Sequence, residues 1–138
     1  MPKRCSSGLV LILLLLAVCS GGCGGSTSPS PVSVSGTWTG SVASNRVGAG
    51  VATVTLNQSG SSLTGTWAAA FPDPSNNDSG SLSGTVSGSG ISATLTSSVP
   101  GACPYSFTAT VNGNQMSGTY ATFNCTVAAG GNINLTRQ

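Results

Sequence analysis

Few residues in this chain are able to do chemistry. Asp73 and Asp78 are its only carboxylates, both in the stretch Phe71-Pro72-Asp73-Pro74-Ser75-Asn76-Asn77-Asp78; there is no His or Glu, and the only Lys is Lys3. Without His there is no Ser-His-Asp triad and no ordinary zinc site, and without a later Lys there is no Schiff-base chemistry. A carboxylate pair is the minimum equipment for glycoside hydrolysis, and with Asn76 and Asn77 it would offer Ca²⁺ an all-oxygen set. Asp, Asn and Pro are also what a solvated turn uses, and that reading is preferred. The expectation is a protein with no catalytic residues, no metal and no cofactor. The other residues with chemical character are aromatic. Trp38, Trp67, Phe107, Tyr120 and Phe123 would either line a ligand cavity or fill a core, and filling is the reading favoured.

The pattern that must position these residues is a repeated pentapeptide: apolar, Ser or Thr, Gly, Thr, then a large residue. It occurs as Val34-Ser35-Gly36-Thr37-Trp38, Leu63-Thr64-Gly65-Thr66-Trp67, Leu82-Ser83-Gly84-Thr85-Val86 and Met116-Ser117-Gly118-Thr119-Tyr120. In a strand the first, third and fifth residues share a face, so each unit turns its apolar residue, Gly and large residue inward and its hydroxyls outward. Inward Gly on several strands suits a sheet that coils tightly. Turn signals at Ser59-Gly60, Gly88-Ser89 and Asn112-Gly113-Asn114 join these units to alternating partners. The expected strands are 34–42, 51–56, 63–67, 82–86, 91–95, 105–111, 116–120 and 132–137. Eight sequential antiparallel strands on short turns predict an all-β, up-and-down barrel over residues 34–138, with a β-sandwich as the alternative.

The hairpin around Gly113 and Asn114 pairs residues whose numbers sum to about 227. Cys103 and Cys125 therefore meet at its open end, within reach of a disulfide.

Gly36-Thr37-Trp38, with the return through Leu63 to Trp67, resembles the opening of avidin-type, calycin-like eight-stranded barrels. The resemblance covers about 35 residues. It implies the barrel fold, with Ser44 at the family's ligand-binding Ser. Gly40 stands where the family has its binding Asn, and Trp67 replaces its Tyr. The family's later binding tryptophans and Asp have no counterparts, so biotin binding is not expected.

The amino-terminal segment carries an address. Lys3 and Arg4 precede an apolar run from Leu9 to Val18, and a ten-residue helix of about 15 Å is half of what a hydrocarbon core requires. This is the layout of a signal peptide over residues 1–22. The run ends in Leu16-Ala17-Val18-Cys19-Ser20-Gly21-Gly22-Cys23 and resembles the end of a bacterial prolipoprotein signal. That family lipidates a Cys following small residues. Cys19 has the family's Leu at Leu16 but bulky Val18 beside the cut; Cys23 has small residues at the cut but Ser20 in place of Leu. Cleavage before Cys23 leaves one lipid-bearing Cys besides Cys103 and Cys125, so Cys23 is expected to carry the palmitate-type acylation. Residues 24–33 read as a Gly/Ser/Pro tether. The family implies a cell-envelope location, anchored to a lipid membrane; a secreted soluble product is the alternative.

Without residues 1–22, Arg46 and Arg137 balance Asp73 and Asp78, which excludes nucleic acid as a partner. Thr-x-Thr pairs such as Thr37/Thr39, Thr53/Thr55 and Thr108/Thr110 would suit ice binding on a flat sheet. The simpler reading is that Thr is a preferred polar strand residue. Two functions remain. One is a non-catalytic module for a small apolar or carbohydrate ligand; the other is a structural or surface-interaction envelope protein with a filled barrel.

Overall fold

The alternation of apolar and hydroxyl residues forms eight strands in the computed structural model, which describes Gly25 and residues 30–138. The expected signal peptide (residues 1–22), the lipidation site at Cys23 or Cys19 and most of the tether lie outside the described residues. The strands are β1 (Gly36–Ser44), β2 (Gly48–Ser59), β3 (Ser62–Ala70), β4 (Asp78–Ser87), β5 (Gly90–Ser97), β6 (Tyr105–Asn112), β7 (Gln115–Thr122) and β8 (Gly130–Arg137). Each pairs antiparallel with the next, and β1 pairs with β8, closing a barrel in simple sequential order. The eight strands all appear where alternation places them, mostly longer than expected.

Inside the barrel, inward Gly acquires a packing reason, which covers Gly65, Gly84 and Gly118 of the pentapeptide but not Gly36, which is exposed at the start of β1 with φ of 124°. Register sets a large inward residue beside an inward Gly on the next strand: Leu56 beside Gly65, Trp67 beside Gly80, Tyr120 beside Gly131, Leu135 beside Gly40. A Cβ at Gly80 would collide with the Thr96 carbonyl of β5. The strands cross too closely there for any side chain, and the freed volume goes to the neighbouring ring.

The two barrel ends differ. At one end Trp38, Leu56, Leu63, Met116 and Leu135 are essentially fully buried. The chain ahead of β1 crosses this end: Val34 is fully buried, and its carbonyl accepts a 2.9 Å bond from Trp38 Nε1. The Val32 amide donates to Gly88 O at 3.0 Å, and the Val34 amide to Gln58 Oε1 at 2.7 Å. Arg137 lies over the Trp38 ring, 4.6 Å from its centroid, and donates to Ser33 O and Ser35 O. The opposite end carries the longer connections, residues 45–47, 71–77, 98–104 and 123–129.

Outward positions are hydroxyl-rich, with cross-strand pairs such as Thr39 with Thr53 and Thr108 with Thr119, at 3.5 and 3.3 Å between hydroxyl oxygens. An apolar interior with a hydroxyl exterior is the inverse of a lipid-spanning barrel. The Thr pairs sit on β1–β2 and β6–β7, different parts of a closed wall, so they make no single flat array.

The β6–β7 register pairs Tyr105 with Thr122, and beyond it Cys103 and Cys125 stand at bonding distance with their Cα atoms 6.0 Å apart. A bridge spanning 22 positions ties two of the long connections together. Replacing both cysteines with Ala is expected to cost about 3 kcal/mol of unfolding free energy. Urea denaturation measures this, and an unchanged midpoint would contradict it.

Candidate functional site

The end holding the long connections is open, and a cavity of about 420 Å³ descends from it into the barrel. Parity along the strands determines what lines it. On β4, inward Leu82 shares its face with Asp78 four residues earlier; on β5, Leu95 shares its face with Ser97; on β6, Phe107 shares its face with Tyr105. The lower walls are apolar, with Val42, Val54, Leu82, Leu95, Phe107 and Ile133. Polar groups gather nearer the mouth: Ser44, Arg46, Asn77, Asp78, Ser97 and the Tyr105 and Tyr120 hydroxyls.

Three rings form the aromatic wall. Trp67 meets Tyr105 edge-to-face, with centroids 6.0 Å apart at 84°, and Tyr105 meets Tyr120 likewise at 5.7 Å and 76°. The Trp67 indole is fixed by a 3.1 Å bond from Nε1 to Ser81 O. Tyr120 reaches over Gly131, where an added Cβ would lie 3.0 Å from its hydroxyl.

Asp78 Oδ1 accepts from the Ser97 hydroxyl at 2.6 Å and from the Ser79 amide at 2.8 Å. Its other oxygen, Oδ2, takes no hydrogen bond from the described residues. Arg46 is exposed on the turn between β1 and β2, where its amide donates to Ser44 Oγ at 3.3 Å. Burial raises the Tyr105 phenol above its ordinary value, and the negative charge of Asp78 pushes the same way; Tyr120 and Arg46 act more weakly, Arg46 in the opposite sense. Burial also raises Tyr120, with the nearby Ser44 hydroxyl pulling it partway back.

Of the aromatic residues expected at a cavity, Trp67, Phe107 and Tyr120 line this one. Trp38 does not, because it fills the closed end. Phe123 is 37% exposed on the connection after β7. With Val47 and Val99 on two other connections, it leaves apolar side chains exposed around the mouth. The lower half of the barrel is filled, as the packing reading expects, and the upper half is not.

Asp73 and Asp78 do not act as a pair. Asp73 caps a short 3₁₀ turn (Pro74–Asn76), accepting from the Ser75 amide at 2.9 Å and hydroxyl at 2.7 Å, and these bonds lower its pKa. Asn77 Oδ1 accepts from the Phe71 amide at 2.8 Å. The connection uses these acceptors on its own chain, and of the two carboxylates only Asp78 joins the cavity wall, beside Ser75, Asn76 and Asn77. Among the described residues no three His, Cys, Asp or Glu side chains gather as a metal set. Sequence reading passed over Tyr105, Ser97 and the inward aim of Asp78, although strand parity carried the signal.

No known family model matches this chain, and no curated protein matches it.

Tyr105 and Tyr120 are the chain's only tyrosines, so phenolate absorbance reports the site directly. Their raised folded values mean the neutral phenols favour the fold: that contribution is complete below the ordinary pKa of 10.0 and is lost as pH climbs through the folded values. A spectrophotometric titration of the folded protein should reach its midpoint above that of the guanidinium-unfolded chain. Coincident curves would show phenols that are not desolvated.

Proposed function

We propose that this chain is an exported, lipid-anchored, non-catalytic envelope protein whose barrel holds a small, mainly apolar ligand in its open half. The cavity carries this reading: its volume of about 420 Å³ falls within the range of small-molecule sites, about 300–1,000 Å³. Such sites combine apolar walls with a few convergent polar groups, and this one has apolar residues below and Asp78, Ser97 and two phenols above. The open half favours binding over the alternative of a structural protein with a filled barrel. A carbohydrate ligand would use the same aromatic wall, but the apolar floor favours a ligand with an apolar body.

Anchoring rests on the sequence. Cys23 would receive the acyl chains, and residues 24–31, ahead of the segment that docks on the closed end from Val32, would let the barrel stand up to about 28 Å from the bilayer. The membrane is then a partner through Cys23, in the cell envelope. Mass spectrometry of the mature amino terminus should find a diacylated or triacylated Cys23 peptide. An unmodified terminus would remove the anchor and leave a secreted binding protein.

The cavity is tested with N-phenyl-1-naphthylamine, a neutral dye that brightens on leaving water. One dye per folded protein is expected, together with a change in Trp67 emission. Ala69→Trp, placed on the cavity wall near the mouth, should reduce uptake at least about tenfold by occupying the space. No uptake by the folded protein, or equal uptake by the filled variant, defeats the reading.

A further inference from the structure

We infer that the ligand is an organic cation: a molecule whose apolar body lies in the lower cavity and whose ammonium group sits at the mouth between Asp78 and the Trp67–Tyr105–Tyr120 wall. This rests on the cavity being a binding site, and it specifies which chemistry that site accepts.

Three observations converge. The rings stand edge-to-face at 6.0 and 5.7 Å, turning their faces along two nearly perpendicular directions. The proposed cation rests against this wall, where a ring face attracts an ammonium group as it does in the aromatic cages that hold quaternary ammonium. Asp78 stands one inward step nearer the mouth, paired with Ala69, and its charge acts on the Tyr105 phenol. Its Oδ1 is held by Ser97 and Ser79, which fixes the carboxylate in place and leaves Oδ2 without a partner among the described residues. A half-buried carboxylate beside aromatic rings gains from a cation that has little water to lose. A neutral ligand would leave it unpaired.

The distribution of charge agrees. Among the described residues, Arg46, Asp73 and Asp78 are at the open end and Arg137 is at the closed end. The mouth therefore carries one net negative charge. Arg46 faces the same cavity, but it is exposed, and its field is screened by water more than that of Asp78.

The test uses three probes with one tail, each below its micelle concentration: octyltrimethylammonium, 1-octanol and octyl sulfate. Affinities come from displacement of N-phenyl-1-naphthylamine from the mature protein. The ammonium should bind about tenfold tighter than octanol, and octyl sulfate should bind weakest. Asp78→Asn should remove most of the ammonium's advantage over octanol, both measured on the same variant. Asp73→Asn, at the same mouth but off the cavity wall, should leave the ammonium preference in place. Equal binding of ammonium and octanol, tighter binding of the sulfate, or an undiminished preference in folded Asp78→Asn would overturn the cation assignment and leave the cavity reading standing. Failure of all three probes to displace bound dye would overturn the assignment as well, while the dye's own uptake tests the cavity separately. If Asp78→Asn does not fold, the three-probe comparison on the unaltered protein still decides.

Discussion

Everything else in this barrel depends on the pairing of β1 with β8. Their register sets Trp38 beside Arg137, and the guanidinium covers the indole while holding the carbonyls of Ser33 and Ser35. The beginning and end of the described domain thus meet at one place, over one ring. Without that seam, β1 and β8 would be two open edges, each offering unpaired backbone groups to other chains. With it, every strand has two neighbours. The same contact seals one end of the barrel, because the segment that Arg137 grips is the one crossing below Trp38. A barrel sealed at one end only has a cavity with a single direction of access.

Packing explains why that cavity stays open. Large inward residues are few, and many inward positions are Gly set against the large residues of a neighbouring strand. At the sealed end, Trp38, Leu56, Leu63, Met116 and Leu135 are enough to fill the space. Toward the mouth, Ala52, Ala69 and Gly131 stand among the inward residues, and the rings of Trp67, Tyr105 and Tyr120 line the wall without spanning it. Interiors of small barrels are normally filled by side chains. An unfilled half lowers stability through lost van der Waals contact, and the Cys103–Cys125 link lies at that end, where packing contributes least.

Alternation makes the strands legible, and the hairpin arithmetic around Gly113 brings Cys103 and Cys125 together, as the fold does. Neither could say which aromatic lines the cavity. Trp38 and Trp67 lie in the same Gly-Thr-Trp context, yet one plugs the closed end and the other walls the open half. A period of two fixes the face of a residue but not its height in the barrel, which depends on the β1–β8 seam and the chain crossing beneath it. Asp78 was readable in part. It shares parity with Gly80, Leu82, Gly84 and Val86, all inward, but its neighbours Asn76 and Asn77 made it look like part of a solvated turn.

The scarcity of charge gives the mouth its importance. With two charges of each sign in the described domain, no long-range field distinguishes one partner from another, and near-zero net charge ordinarily favours association. Here a closed barrel offers no strand edge, and the outer wall presents hydroxyls that stay hydrated without charge. For the ligand proposed above, what remains to discriminate is the single half-buried carboxylate, because Asp73 is engaged in its own turn, Arg137 in the seam, and Arg46 is exposed to water. A field generated by one fixed group among aromatic rings is short in range and depends on how closely the ligand approaches. In the proposed site, selection therefore depends on contact inside the mouth and hardly at all on attraction from a distance.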